Sequence, residues 1–209
     1  MAYTTIDKPT DYFNTVTFTG NNTDGNSITG VGFQPDFCWF KLRSSAGSHA
    51  LVDSVRGTSN TLRTDGNDSE FTSSAGTDFS SFDSDGFTVD NVELFGSYNN
   101  SGASIVTWNW LAGGTASSNT DGSITSSVSA NTTAGFSIVS YTGTGSNATV
   151  GHGLSTSPSM ILVKNRSTAY SWIVYHKSLG ATKNLYLDLN NAPDTATTVS
   201  YTHLRAHET

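Results

Sequence analysis

Acids, histidines and tryptophans decide what chemistry this chain can be asked to do. Asp83, Asp85 and Asp90, grouped around Gly86, have the oxygen content of a calcium loop. An EF-hand loop, however, needs more ligands at fixed spacing, a terminal bidentate acid and a helix on each side. Here Ser84-Asp85-Gly86 runs straight into the strand-like Phe87-Thr88-Val89, so the Asp-Gly pair reads as a turn. His49, Asp53 and either Ser44 or Ser54 supply the residue types of a nucleophilic triad, but no Gly-x-Ser-x-Gly elbow accompanies them. Glu70 and Glu93 are the acids a glycan-cleaving pair would draw on, and such a pair requires one acid whose pKa a cleft has raised. Both lie beside turns and read as solvated carboxylates. Trp39, Trp108, Trp110 and Trp172 have faces that suit sugar rings. At alternating strand positions their expected place is a core, Trp108 and Trp110 above all. Neither a Cys/His metal spacing nor a phosphate-cradling glycine loop is present. The expectation is therefore no catalytic, cofactor-binding or metal-binding residue, no cofactor, and a ligand site that the sequence leaves unassigned.

The elements that hold these residues are written twice. Residues 35–65 reappear at 158–188 after a gap-free shift of 123 positions. Pro35/Pro158, Lys41/Lys164, Arg43/Arg166, Ser44/Ser167, Ala46/Ala169, Ser48/Ser171, Gly57/Gly180, Leu62/Leu185 and Asp65/Asp188 are identical pairs. The same shift places Val16 to Gly20 (VTFTG) on Val139 to Gly143 (VSYTG). A period this long marks a duplicated domain rather than a solenoid. The apolar pattern is copied where the triad is not: Phe37-Cys-Trp-Phe40 becomes Met160-Ile-Leu-Val163, while His49 becomes Trp172 and Asp53 becomes His176. Lys41/Lys164 and Arg43/Arg166 either border a strand end or pair with Asp65/Asp188.

Composition agrees with many short strands. Of 209 residues, 35% are hydrophobic, only 13% are charged and 20 are glycines, which suits polar turns better than helix surfaces. Residues 12–19 alternate as a half-buried strand, and 36–43 are apolar on both faces, as in a strand central to its sheet. Residues 105–111 alternate again and should close the first core. The fold expected is all-β, with tandem antiparallel β-sandwich domains of jelly-roll or concanavalin-like type, the second truncated. The divisions expected are an N-terminal arm at 1–11, a first sandwich at 12–115, a flexible Ser/Thr/Gly/Asn-rich linker at 116–134 and an incomplete second sandwich at 135–198. The net charge of −7 argues against nucleic acid, and no stretch is long enough to insert into a membrane as a helix. The single cysteine, Cys38, lies in an apolar run and reads as a small buried hydrophobe.

Residues 199–209 (VSYTHLRAHET) back-translate to a sequence similar to a transposase-type sequencing-library adapter read in frame. They are set aside as an artefact, with His203 and His207, and the natural sequence is expected to run on past residue 197.

Four segments carry a resemblance: GFQPDFCWFK at 32–41, HALVDSVRG at 49–57, SDGF at 84–87 and TWNW at 107–110. With GFSIVSYTG at 135–143, NATVGHG at 147–153 and WIVYH at 172–176, they resemble a family of marine bacteriophage structural proteins that recur in tandem in tail fibres and tail-associated proteins. The resemblance spans residues 12–198 and implies lectin-like sandwiches of the concanavalin type, with no catalytic residues to carry over. It implies a non-enzymatic virion component, made in the host cytoplasm without a signal peptide. Adhesion to a host cell-surface glycan or protein is its leading task, in company with other virion proteins and in a fibre that admits a homotrimer. The alternatives are a structural spacer or oligomerisation module, and a polysaccharide depolymerase.

Overall fold

The computed structural model describes residues 6–73, 78–91 and 99–195. Glu93, residues 199–209 and the first five residues of the arm lie outside the described residues. The chain is all-β: among the described residues helix is confined to the 3-10 turns Pro9–Asp11 and Lys177–Leu179. Among them, no helix is long and apolar enough to cross a membrane.

The first unit comprises β1 (Phe13–Thr19), β2 (Asn26–Thr29), β3 (Phe37–Leu42), β4 (Ala50–Asp53), β5 (Asn60–Arg63), β6 (Phe71–Thr72), β7 (Phe79–Asp83), β8 (Gly86–Val89) and β9 (Ser104–Trp110). Two antiparallel sheets result, one in the order β1-β9-β3-β4-β5-β6 and one in the order β2-β8-β7. They face each other across one core. From the large sheet Cys38, Phe40, Leu42, Ala50, Val52 and Ile105 point in, and from the small one Ile28, Phe79, Phe87 and Val89. Phe40 sits edge-on to both Phe87 and Phe79, with ring centroids 5.2 and 6.1 Å away. The Asp85-Gly86 turn between β7 and β8 needs its glycine twice over. Its φ is 156°, and a Cβ there would run into the carbonyl of Ile28 on β2.

The second unit comprises β10 (Ser117–Asn119), β11 (Ser126–Asn131), β12 (Phe136–Ser140), β13 (Met160–Val163), β14 (Ile173–His176), β15 (Lys183–Tyr186) and β16 (Asp194–Thr195). These form two sheets, β10-β11-β12 and β13-β14-β15-β16. Strands β14, β15 and β16 fall on β4, β5 and β6 shifted by 123, with both ends coinciding. Contacts are copied with them. The Asp65 carboxylate accepts the His49 backbone N–H at 3.0 Å, and Asp188 accepts that of Trp172 at 2.9 Å. Lys41 donates to the Gly47 carbonyl at 2.9 Å, and Lys164 to that of Tyr170 at 2.6 Å. Gly57 and Gly180 both have positive φ, 85° and 82°. The repeated lysines and aspartates therefore hold hairpin backbones and do not pair with each other.

Two expectations need correction. The stretch 116–134 is not a free linker: β10 and β11 occupy much of it, and β11 pairs with β12 along five residues. Ser126, Val128 and Ser129 are buried there, so hydroxyl-rich strands read as flexible only until their partner is seen. Trp108 and Trp110 do not enter the sandwich core. In β9 the residues turned to the sandwich core are Ile105, Thr107 and Asn109, all fully buried. Trp108 and Trp110 lie half-buried on the opposite face, which is covered in part by the second unit. The stacked Trp110–Phe136 pair at 5.9 Å and the Phe37–Phe136 pair at 5.5 Å make that contact.

Cys38 is completely buried under the small sheet. Burial first, then the neighbouring Asp36 and Asp53, push its thiol well above the ordinary range. A thiol reagent should therefore label the native chain about a hundredfold more slowly than the denatured chain. An Ellman time course checks this, and fast labelling at native ellipticity would contradict the sheet-on-sheet packing.

Candidate functional site

The back face of the large sheet packs against the second unit, and a cleft of about 290 Å³ opens between them. Phe37, Leu51 and Leu62 of the first unit contribute its apolar floor, beside Asp53 and Arg56. β12 and β13 line its walls. Leu51, Leu62 and Trp172 form a buried cluster here, against which Phe37, Leu162 and Leu187 pack. The Trp172 indole N–H donates to the Arg63 carbonyl at 2.7 Å, fixing one unit on the other.

Polar groups beside the cleft are satisfied by one another. The Arg56 guanidinium donates to Asp53 at 2.6 Å, to Glu70 at 2.9 Å, and to the carbonyls of Asn60 and Leu51, each at 3.1 Å. Arg166, on the loop between β13 and β14, grips the same Glu70 with two bonds of 2.8 and 2.6 Å and reaches Ser140 at 2.9 Å. The Glu70 backbone N–H donates to the Arg166 carbonyl at 2.8 Å, which closes a ring between the units. Two guanidiniums and two carboxylates cancel, so no net charge is buried. Side-chain exposure rises from 4–5% at Asp53 and Arg56 through 10% at Glu70 to 39% at Arg166. Burial alone would raise the Glu70 pKa, but bonds from Arg166 and Arg56 outweigh it and hold the carboxyl below its ordinary value. His152, also lining the cleft, is pushed down by burial and accepts the Leu154 N–H through Nδ1.

This geometry disposes of the individual candidates. Asp53 serves Arg56, the Ser54 hydroxyl donates to Asp36, and the Ser44 hydroxyl accepts the Ser104 N–H. The residues of the triad reading thus engage different partners. Around the Asp-Gly turn the carboxylates also diverge: Asp83 accepts from Ser81 and Thr88, Asp85 from the N–H groups of Gly30 and Gly32, and Asp90 from Gly25 and Ser80. No cluster able to hold a metal occurs among the described residues. Glu70 is not a solvated acid, which corrects the sequence expectation. Its partner Arg166 stands 96 residues away, and nothing local in the sequence signals that bond. Trp39 pairs edge-on with Trp108 and donates to Thr64, while Trp172 is buried. Among the described residues, the exposed aromatic rings are instead Tyr141 and Tyr170. Tyr141 had a readable signal. It repeats Phe18, which packs on Phe87 in the first unit, so its hydroxyl marks a position facing water in the second.

The ring of ion pairs sets a stability prediction. Glu70→Ala strips Arg56 of one of its two carboxylates in a buried setting and should cost about 3 kcal/mol. Arg166→Ala, at a more exposed guanidinium, should cost about 1–2 kcal/mol. Urea midpoints give both values. Because the folded Glu70 pKa is lowered, its contribution is complete above the unfolded carboxylate value and fades as pH falls through the folded one. The difference between wild type and Glu70→Gln should thus shrink as pH falls below the ordinary glutamate value of 4.5 and through the lowered folded one.

No curated protein and no solved structure matches the chain. A family profile described as "Domain of unknown function (DUF7483)" matches residues 8–209, nearly the whole length. The chain belongs to the DUF7483 family.

Proposed function

We propose that the chain is a non-enzymatic component of a phage virion, a tail-fibre or tail-associated module that attaches to a host surface, with glycans as the ligand class. One observation carries the non-enzymatic half. Glu70, the described acid on which a depolymerase would depend, is kept ionised by two guanidiniums and is a poor proton donor at neutral pH. The attachment half rests on the resemblance at 32–41, 49–57, 107–110 and 172–176, and on Tyr141 and Tyr170, which are 42% and 64% exposed. Tyrosines present an apolar ring with a polar tip, as a sugar's mixed surface requires. Contacts with other virion proteins and a trimeric arrangement belong to the same proposal.

The spacer reading has its own support. The Arg166–Glu70–Arg56 ring and the Trp172 bond tie the two units together, which a fibre segment needs whether or not it binds anything. A glycan array and whole host cells probed with the intact chain separate the readings. Attachment predicts binding that falls at least about tenfold in Tyr141→Ala or Tyr170→Ala at unchanged stability. Absence of binding on both surfaces selects the spacer. Release of reducing ends from host polysaccharide selects the depolymerase and ends the non-enzymatic reading.

A further inference from the structure

Among the described residues, the two walls of the cleft are unpaired strand edges. β12 pairs with β11 and β13 with β14, and each has its other edge toward the cleft. The cavity touches every residue of β12 and every residue of β13 in succession. Successive residues of a strand point to opposite faces, so a space that meets all of them lies in the plane of the sheet. It is a slot between two edges.

The first unit shows what such a slot takes. β12 and β13 repeat β1 and β3 under the 123-residue shift, and β1 and β3 do not pair with each other. β9 lies between them, antiparallel to both, matched to seven residues of β1 and six of β3. A second, independent sign is a pair of glycines. At Gly20 an added Cβ would collide with the backbone of Asn99 and Asn100, the approach to β9, and Gly20 exchanges backbone bonds with Gly102 and Ala103. Its repeat, Gly143, has no atom within 4 Å of that Cβ position. The close-approach glycine is copied where no described residue approaches. Arg43 tells the same story, bonding Ser104 at the start of β9 through its N–H and its guanidinium, whereas Arg166 turns to Ser140 and Glu70.

We infer that the slot between β12 and β13 is a strand-acceptor site, and that its occupant is an extended segment built like β9. Such a segment bonds antiparallel to both edges, and its approach crosses Gly143 as residues 99–103 cross Gly20. Its side chains alternate between an inward face like that of Ile105, Thr107 and Asn109 and a tryptophan-bearing face like that of Val106, Trp108 and Trp110. Backbone pairing supplies affinity and the alternation supplies register. The site is independent of the attachment reading and stands whether or not the chain binds glycans.

The test uses the full chain and a synthetic peptide of residues 99–112 from this sequence. Calorimetry should show one-to-one binding, with a rise in the melting temperature and slowed amide exchange in β12 and β13. Val106→Pro with Trp108→Pro in the peptide removes two ladder donors and should weaken binding at least about tenfold. Gly143→Ala in the chain should leave its own stability unchanged. The same variant should weaken the 99–112 peptide but spare one restricted to 104–111. Equal binding of the proline peptide, or indifference to Gly143→Ala, would overturn the proposal. If the free peptide does not bind, residues 99–112 fused after residue 209 through a Gly/Ser linker decide the matter. Unchanged exchange in β12 and β13 of that fusion rejects the site, and so does a chain that self-associates through these edges without competition by the peptide.

Discussion

One strand closes the first sheet, and it comes last in the unit. β1 and β3 lie early and cannot reach each other in the sheet until β9, some 60 residues beyond β3, is laid between them. The order has an energetic reason. A strand central to a sheet satisfies backbone groups on both of its edges, whereas a hairpin partner satisfies one. β9 also seals the core, since Ile105 is fully buried among Cys38, Phe40 and Leu42. The ends of β9 are fastened by buried polar groups. Asp36, itself 1% exposed, accepts the N–H groups of Ala112 and Gly114 just beyond it, at 2.9 and 3.1 Å, while its backbone N–H donates to the Trp110 carbonyl. Such pairing across a long loop is entropically expensive and slow to form.

The second constraint is that the large sheet is covered on both faces around β4 and β5. β4 shows it most directly: Ala50 and Val52 enter the sandwich core, and Leu51 between them enters the cluster with Trp172. A sheet buried on both sides needs polar residues at its margin whose hydrogen bonds close within the protein, because water no longer reaches them. Asp53, Arg56, Glu70 and Arg166 meet that need as a neutral ring. Buried ion pairs repay their desolvation poorly compared with apolar packing. What the ring contributes is position: the bidentate geometry of Arg166 on Glu70 fixes one hairpin loop of the second unit over one margin of the first.

The sequence made the strands legible, and the contacts between units much less so. Apolar residues on both faces of 36–43 announced a central strand, and β3 is third of six. The repeat announced two units, and its register survives to the residue in β14, β15 and β16. The alternation of 105–111 sorted the faces of β9 correctly, but which face met the small sheet depended on a partner no periodicity encodes. Size suggested tryptophan for the core, whereas the narrow space beneath the small sheet took Ile105 and Thr107. β10 and β11 are not legible in the sequence because their serines carry little hydrophobic signal, although they pair well once one edge is supplied. The Glu70 network was invisible for the plainest reason: its pairing with Arg166 is tertiary, and each residue alone looks like solvated surface.

What duplication preserved follows from these constraints. The shared identities hold hairpins: Lys41 and Lys164 hold a loop carbonyl, Asp65 and Asp188 a strand-entry N–H, and Gly57 and Gly180 a left-handed turn. Arg43 and Arg166 are the informative exception, identical in type and different in partners. In the first unit the guanidinium meets the first residue of β9; in the second it has been drawn into the ring with Glu70. A side chain of five donors on a flexible stem can make either bond without a change of sequence. The same is true of the sheet positions. Cys38, Phe40, Ala50 and Val52 are sealed under a second sheet, while their repeats Ile161, Val163, Ile173 and Tyr175 remain only half-buried. Apolar character has been kept at all four of these sites without the burial that rewards it in the first unit. A strand pattern copied this closely carries with it the surface that its partner strand was shaped to cover.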